Sequence, residues 1–95
     1  MQKYSSINQI GHIFETDSQV VTDLVIPAGK TILTHHAPYD VLVIPIKGRI
    51  IFRGEGFEEE IAPGSFIKMT PDEPHSLEAK EDSEVFVVKS VLAKD

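Results

Sequence analysis

The chain has 95 residues, 41% hydrophobic and 25% charged, which leaves room for one domain and is neither a disordered nor a membrane composition. Fifteen acidic against nine basic residues give a net charge of −6, which repels phosphate backbones and excludes nucleic acid as an expected partner. The absence of cysteine excludes a disulfide framework and a thiolate nucleophile, and restricts any zinc site to histidine and carboxylate ligands.

The opening "MQKYSSINQIGHIF" lacks the apolar core of a signal peptide, about 7 to 15 residues long. No stretch approaches the roughly 18 apolar residues of a membrane span. A cytoplasmic protein without membrane contact is expected. Ser5 or Ser6 could cap one helical turn through Ile10, ended by Gly11, and residues 1–18 read as an N-terminal strand or arm ahead of a barrel core over 19–92. From there the period is two: "QVVTDLVI" (19–26), "DVLVIPI" (40–46), "RIIFR" (49–53), "FEEEI" (57–61), "SFIKM" (65–69), "HSLEA" (75–79) and "EVFVVKSV" (84–91) read as strands. Turn formers separate them in "PAGK", "KG", "GEG", "APG", "TPDEP" and "KEDS". Seven strands with little helix predict one all-β domain over 1–95, a sandwich or barrel. "EEE" at 58–60 reads as a solvated edge or hairpin strand, and "GEG" as a hairpin turn rather than a nucleotide loop. In "VLVIPI" both faces are apolar, so the face turned away from the core calls for a cover, and a homodimer is expected.

Three of the four histidines stand at telling places. His35 and His36 end one strand, and His75 begins another directly after "TPDEP". The arrangement resembles the cupin family of small jelly-roll β-barrels, whose first motif runs Gly, five residues, His-x-His, three or four residues, Glu, six residues, Gly, and whose second runs Gly, five residues, Pro-x-Gly, two residues, His. Laid on the first motif without gaps, Gly29, His35 and Gly48 match, and Pro38 stands where many members have proline; Gly64 and His75 match the second. Ala37 and Val41 replace the second histidine and the glutamate, so two of the family's four metal ligands are absent in that register; Thr70 and Asp72 stand for proline and glycine, with Pro71 and Pro74 nearby. The resemblance covers about residues 24–92. It implies a cupin-like barrel holding a small molecule and possessing, at most, one divalent ion such as Fe, Mn, Ni or Zn.

Strand alternation would aim positions 35, 37 and 41 into the barrel and His36 and Asp40 outward. His35 and His75 are then the candidate metal ligands, two where a divalent ion generally takes three or more protein groups. A one-residue bulge near Tyr39 to Val41 would instead turn His36 and Asp40 inward, forming with His75 a two-histidine, one-carboxylate set suited to iron or manganese. Tyr39, Val41, Phe66 and Met69 are the candidate pocket residues. Set against both readings, histidines at strand ends are often simply exposed, or buried and hydrogen-bonded, and nothing in the sequence pairs with His12. The reading that follows is a small-molecule-binding cupin domain of unassigned specificity with a reduced or lost metal site. The alternatives are a metal-dependent cupin enzyme, of dioxygenase or isomerase type, using His36, Asp40 and His75, and a structural or regulatory barrel.

Overall fold

A computed structural model of the chain describes residues 1–34, 38–71 and 73–91. Nine strands run through it: β1 (Gly11–Glu15), β2 (Gln19–Ile26), β3 (Thr31–Thr34), β4 (Asp40–Lys47), β5 (Ile50–Gly54), β6 (Phe57–Ile61), β7 (Ile67–Met69), β8 (His75–Ala79) and β9 (Ser83–Ser90). They form two antiparallel sheets, the first in the order β1-β2-β9-β4-β7 and the second in the order β3-β8-β5-β6. No helix occurs among the described residues, and none is long and apolar enough to cross a membrane.

The alternating pattern works as the period requires. On β4, buried Val41, Val43 and Pro45 alternate with half-buried Asp40, Leu42, Ile44 and Ile46. On β5, buried Ile50 and Phe52 flank half-buried Ile51. These inner residues meet Ile26, Ile61, Met69, Leu77, Ala79, Val85 and Val87 in one core. Burial of each such side chain stabilises the fold by about 1.5 to 3 kcal/mol, which is why the inner rows of two sheets suffice for so short a chain. Pro45 carries no amide hydrogen for the ladder, and the β4–β9 register shifts between Pro45 and Lys47. β7 pairs only with Val41 to Val43, so the proline sits beyond its reach.

Two strands were expected only loosely, one within the strand or arm over 1–18 and one as the strand that His35 and His36 end. β1 is short and irregular, with a register shift between His12 and Phe14 that breaks alternation. β3 has four residues, too few to show a period against the histidines that follow. The expected helical turn after Ser5 or Ser6 does not form. Ser6 does accept a backbone hydrogen bond, from Asn8 N–H at 3.0 Å, but Asn8 lies in the left-handed region at φ 52°, so the segment is a tight turn. His12 has a neighbour the sequence did not suggest: its Nδ1 lies 3.6 Å from Glu15 Oε1, both side chains well exposed.

The outer face of the second sheet is held by charge. Arg53 donates from Nη1 to Glu78 at 2.7 Å and from Nε to Glu58 at 2.8 Å, tying β5 to both neighbours. Those bonds, Glu78 first, push the guanidinium's pKa further above its ordinary value. The three glutamates of β6 are exposed on the edge of this sheet, as a like-charged edge that discourages pairing with another chain requires.

Candidate functional site

His75 opens β8 between β3 and β5, with Thr34 and Gly54 as its Cα partners. Two of its contacts orient its ring. It lies flat against Phe52, centroids 5.5 Å apart and planes 9° from parallel. Its Nδ1 is 3.1 Å from the Glu73 carbonyl oxygen, which can only accept, so Nδ1–H donates and the neutral ring carries its lone pair on Nε2. The loop before it is braced locally, Thr70 N–H donating to Glu73 Oε2 at 3.0 Å. The sequence thus sets a proline-bounded loop, a buried aromatic and a strand start so that one imidazole is oriented.

Beside it opens a cavity of about 530 Å³, walled by Phe52, Phe57, Ile67, Met69 and His75 and rimmed by Glu73 and the Gly54-Glu55-Gly56 turn. Phe57 meets Phe52 edge-on, centroids 6.3 Å apart. The β5–β6 hairpin turn is where "GEG" was expected to make one, with Gly56 at φ 66°. Its role at the cavity rim was not foreseen, nor were Phe52 and Phe57 as wall residues. The β5–β8 register, which local period does not give, puts Phe52 and Gly54 in the inner row with Leu77 and His75.

The other candidates fall in different places. His35, His36 and Ala37 lie outside the described residues, as does Asp72. Val41 is 6% exposed and paired with Met69, itself 4% exposed. Met69 reaches the cavity; Tyr39 is half-buried against the core. Phe66 is 59% exposed and is absent from the cavity wall. Asp40 is half-buried on the alternation of β4 that it shares with Leu42, the face opposite Val41. The register shift within β4 falls between Pro45 and Lys47 rather than at Tyr39 to Val41. A single parity cannot be carried from β3 to β4: Ile32 packs on the core while Leu33 is 80% exposed, so inner positions are even on β3 and odd on β4. Pro38 and Tyr39, between them, are bends.

Among the described residues no group of three or more His, Asp or Glu is placed to hold a metal ion. His75 offers one nitrogen, and Val41 and Met69 fill the neighbouring inner positions with carbon and thioether. These described donors do not fit a divalent ion, which generally needs three or more protein ligands. What the site offers is an apolar wall, an oriented imidazole, and a charged rim of Glu55, Glu73 and Lys68.

Comparison with known proteins places this geometry. No family model matches the chain. A stretch of 48 residues, 50% of this chain, is 42% identical to the XylDLEGF operon transcriptional activator of Pseudomonas putida and spans 15% of that protein. Among solved structures, a cupin superfamily protein from Desulfitobacterium hafniense superposes with a TM-score of 0.81 at 11% identity, over 93% of this chain and 83% of that one. An RmlC-like cupin family protein with a double-stranded β-helix fold, from Methanocaldococcus jannaschii, superposes with a TM-score of 0.77 at 19% identity, over 95% of this chain and 90% of that one. The chain therefore has the fold of these proteins, a cupin-like double-stranded β-helix, all-β and jelly-roll in arrangement, with no metal-binding triad among its described residues.

Proposed function

We propose that this barrel binds a small, largely apolar molecule in the cavity beside His75, that its metal site is reduced or lost, and that binding serves regulation. The observation that carries the reading is the cavity of about 530 Å³ itself: Phe52, Phe57, Ile67 and Met69 give it an apolar wall, and His75, Lys68, Glu55 and Glu73 give it polar anchors, the make-up of a small-molecule site. The regulatory element is supported by the likeness of half the chain to a transcriptional activator. A homodimer through the outer face of β4 and β9 belongs to the same reading, because Leu42 and Ile44 stand opposite Val88 and Phe86 on one apolar, half-buried face.

The test uses methyl-labelled protein titrated with fractions of a small-molecule cell extract. A binding fraction should shift the Met69 and Ile67 methyl resonances and leave Val85, fully buried away from the cavity, in place. Phe57→Glu should abolish those shifts. Shifts that map elsewhere, or persist unchanged in the variant, would overturn the reading. Elemental analysis of the purified protein should find less than one metal ion per chain; stoichiometric metal lost on His75→Ala would favour an enzyme instead.

A further inference from the structure

On the outer face of the first sheet, away from the cavity, two carboxyl groups are buried where an outer face is usually wet. Asp23 of β2 is 0% exposed and Glu84 of β9 is 6% exposed. The ladder pairs Val25 with Glu84 and Asp23 with Phe86, so the two acids are diagonal neighbours on one face. The N-terminal segment, residues 1–10, runs over them. Ser6 Oγ contacts Glu84 Oε2 closely and Asp23 Oδ2 at 3.3 Å, and Ile7 N–H donates to the same Asp23 oxygen at 2.9 Å.

Hydrogen counting shows what is missing. The Ser6 hydroxyl has one hydrogen, and its oxygen already accepts from Asn8 N–H. Facing two ionised carboxylates, it can satisfy only one of them, and Asp23 Oδ1 has no donor at all. One further proton closes the set: on Glu84, it can be donated to Ser6 or to Asp23, and the hydroxyl hydrogen is then free for the other contact. That proton also removes the cost of two like charges sharing a dry site.

We propose that Asp23, Ser6 and Glu84 share one proton that latches the N-terminal segment onto the first sheet, holding it in acid and releasing it as the pH rises. Glu84 is held above its ordinary pKa, chiefly by hydrogen bonding to Asp23 and then by burial. Ser6 and Lys47 act the other way, Lys47 of β4 standing directly opposite Glu84. Asp82 borders the same small surface cavity as Glu84 and Lys47, and already accepts from Ala28 N–H at 2.9 Å. Because the latched value lies above the unlatched one, the latch contributes fully below the ordinary glutamate range and is lost as the pH rises through the latched value.

The experiment is amide hydrogen exchange of Ile7 and Asn8 in the full chain from pH 5 to 8.5, expressed as protection factors so that intrinsic rates cancel. Protection should fall with rising pH, by about tenfold for each unit by which latching raises the Glu84 titration. Glu84→Gln, whose amide donates at every pH, should keep both amides protected throughout and abolish the dependence. Ser6→Ala should lower protection across the range. A wild-type profile that is flat, or one unchanged in Glu84→Gln, overturns the proposal. Should Glu84→Gln not fold, the carboxyl carbon shift of Glu84 in the unaltered chain decides: a midpoint above the ordinary glutamate range is expected, and one within it overturns the latch.

Discussion

The imidazole of His75 lies parallel to the ring of Phe52, 5.5 Å between centroids, while Nδ1–H reaches the Glu73 carbonyl oxygen. Stacking fixes the plane and the hydrogen bond fixes the rotation within it, so Nε2 has one direction. Phe52→Leu removes the first constraint and leaves the second. It should cost about 1 to 2 kcal/mol, because Phe52 is buried in the core. Nitrogen-15 spectra of His75 should show the Nδ1–H form in the parent and a mixture of tautomers in the variant. A mixture already present in the parent would mean the carbonyl contact does not orient the ring.

Two of the glycines that carry the family resemblance differ sharply in what surrounds them. Gly29 at φ 82° has nothing within 4 Å of a built Cβ, whereas at Gly48, φ 83°, that atom would lie 2.2 Å from Ser83 Oγ and 2.5 Å from the Asp82 carbonyl oxygen. Ser83 cannot readily give way, because its hydroxyl accepts from Arg49 N–H and donates to the Glu81 carbonyl at 2.7 Å. Gly29→Ala should therefore cost only the left-handed backbone term, about 1 to 2 kcal/mol, and Gly48→Ala clearly more. Urea midpoints at unchanged slope check the order; equal losses would show that the steric contact is relieved.

Much of the fold was legible because its determinants are local. The apolar run over 41–46 announces a strand, and Gly48, Gly56 and Gly64 stand at positive φ where the chain turns. The site was less so, for two physical reasons. Alternation does not survive bends, so Pro38 and Tyr39 break any parity argument that links the histidines to Asp40 and Val41. His75 comes beside Phe52 only through the β5–β8 pairing, and pairing between distant strands is not written in local period. The Asp23–Glu84 pair was missed for the same reason, being 61 positions apart and joined only by the β2–β9 register.

If the outer face of β4 and β9 is covered by a second copy, a charge at its centre should prevent assembly without disturbing the inner core. Ile44 stands opposite Phe86 there, flanked by Leu42 opposite Val88. The parent should scatter light as a dimer at micromolar concentration, and Ile44→Lys should scatter as a monomer with the same β-type circular dichroism. A parent that stays monomeric at all concentrations would leave the face without a partner of its own kind.

The most informative change at the barrel interior is Val41→Glu, alone and with Ala37→His. Val41 is 6% exposed against Met69, so a lone carboxylate there should destabilise the fold by about 3 kcal/mol or more. Burial would raise its folded pKa above the unfolded value of about 4.3. Protonation then relieves the penalty, so the loss should be smaller at pH 5 than at pH 8. Adding Ala37→His supplies a third imidazole if position 37 faces inward with His35 and His75. Nickel or manganese at about 100 times its dissociation constant should then restore roughly 2.7 kcal/mol, read as a rise in melting temperature that the parent lacks. Metal stabilisation of the parent, lost on Asp40→Ala, would instead assign the ligands to His36, Asp40 and His75 and require Asp40 to leave the face it shares with Leu42. Metal stabilisation of neither protein would place positions 35 to 37 away from the cavity altogether, leaving His75 as its one imidazole.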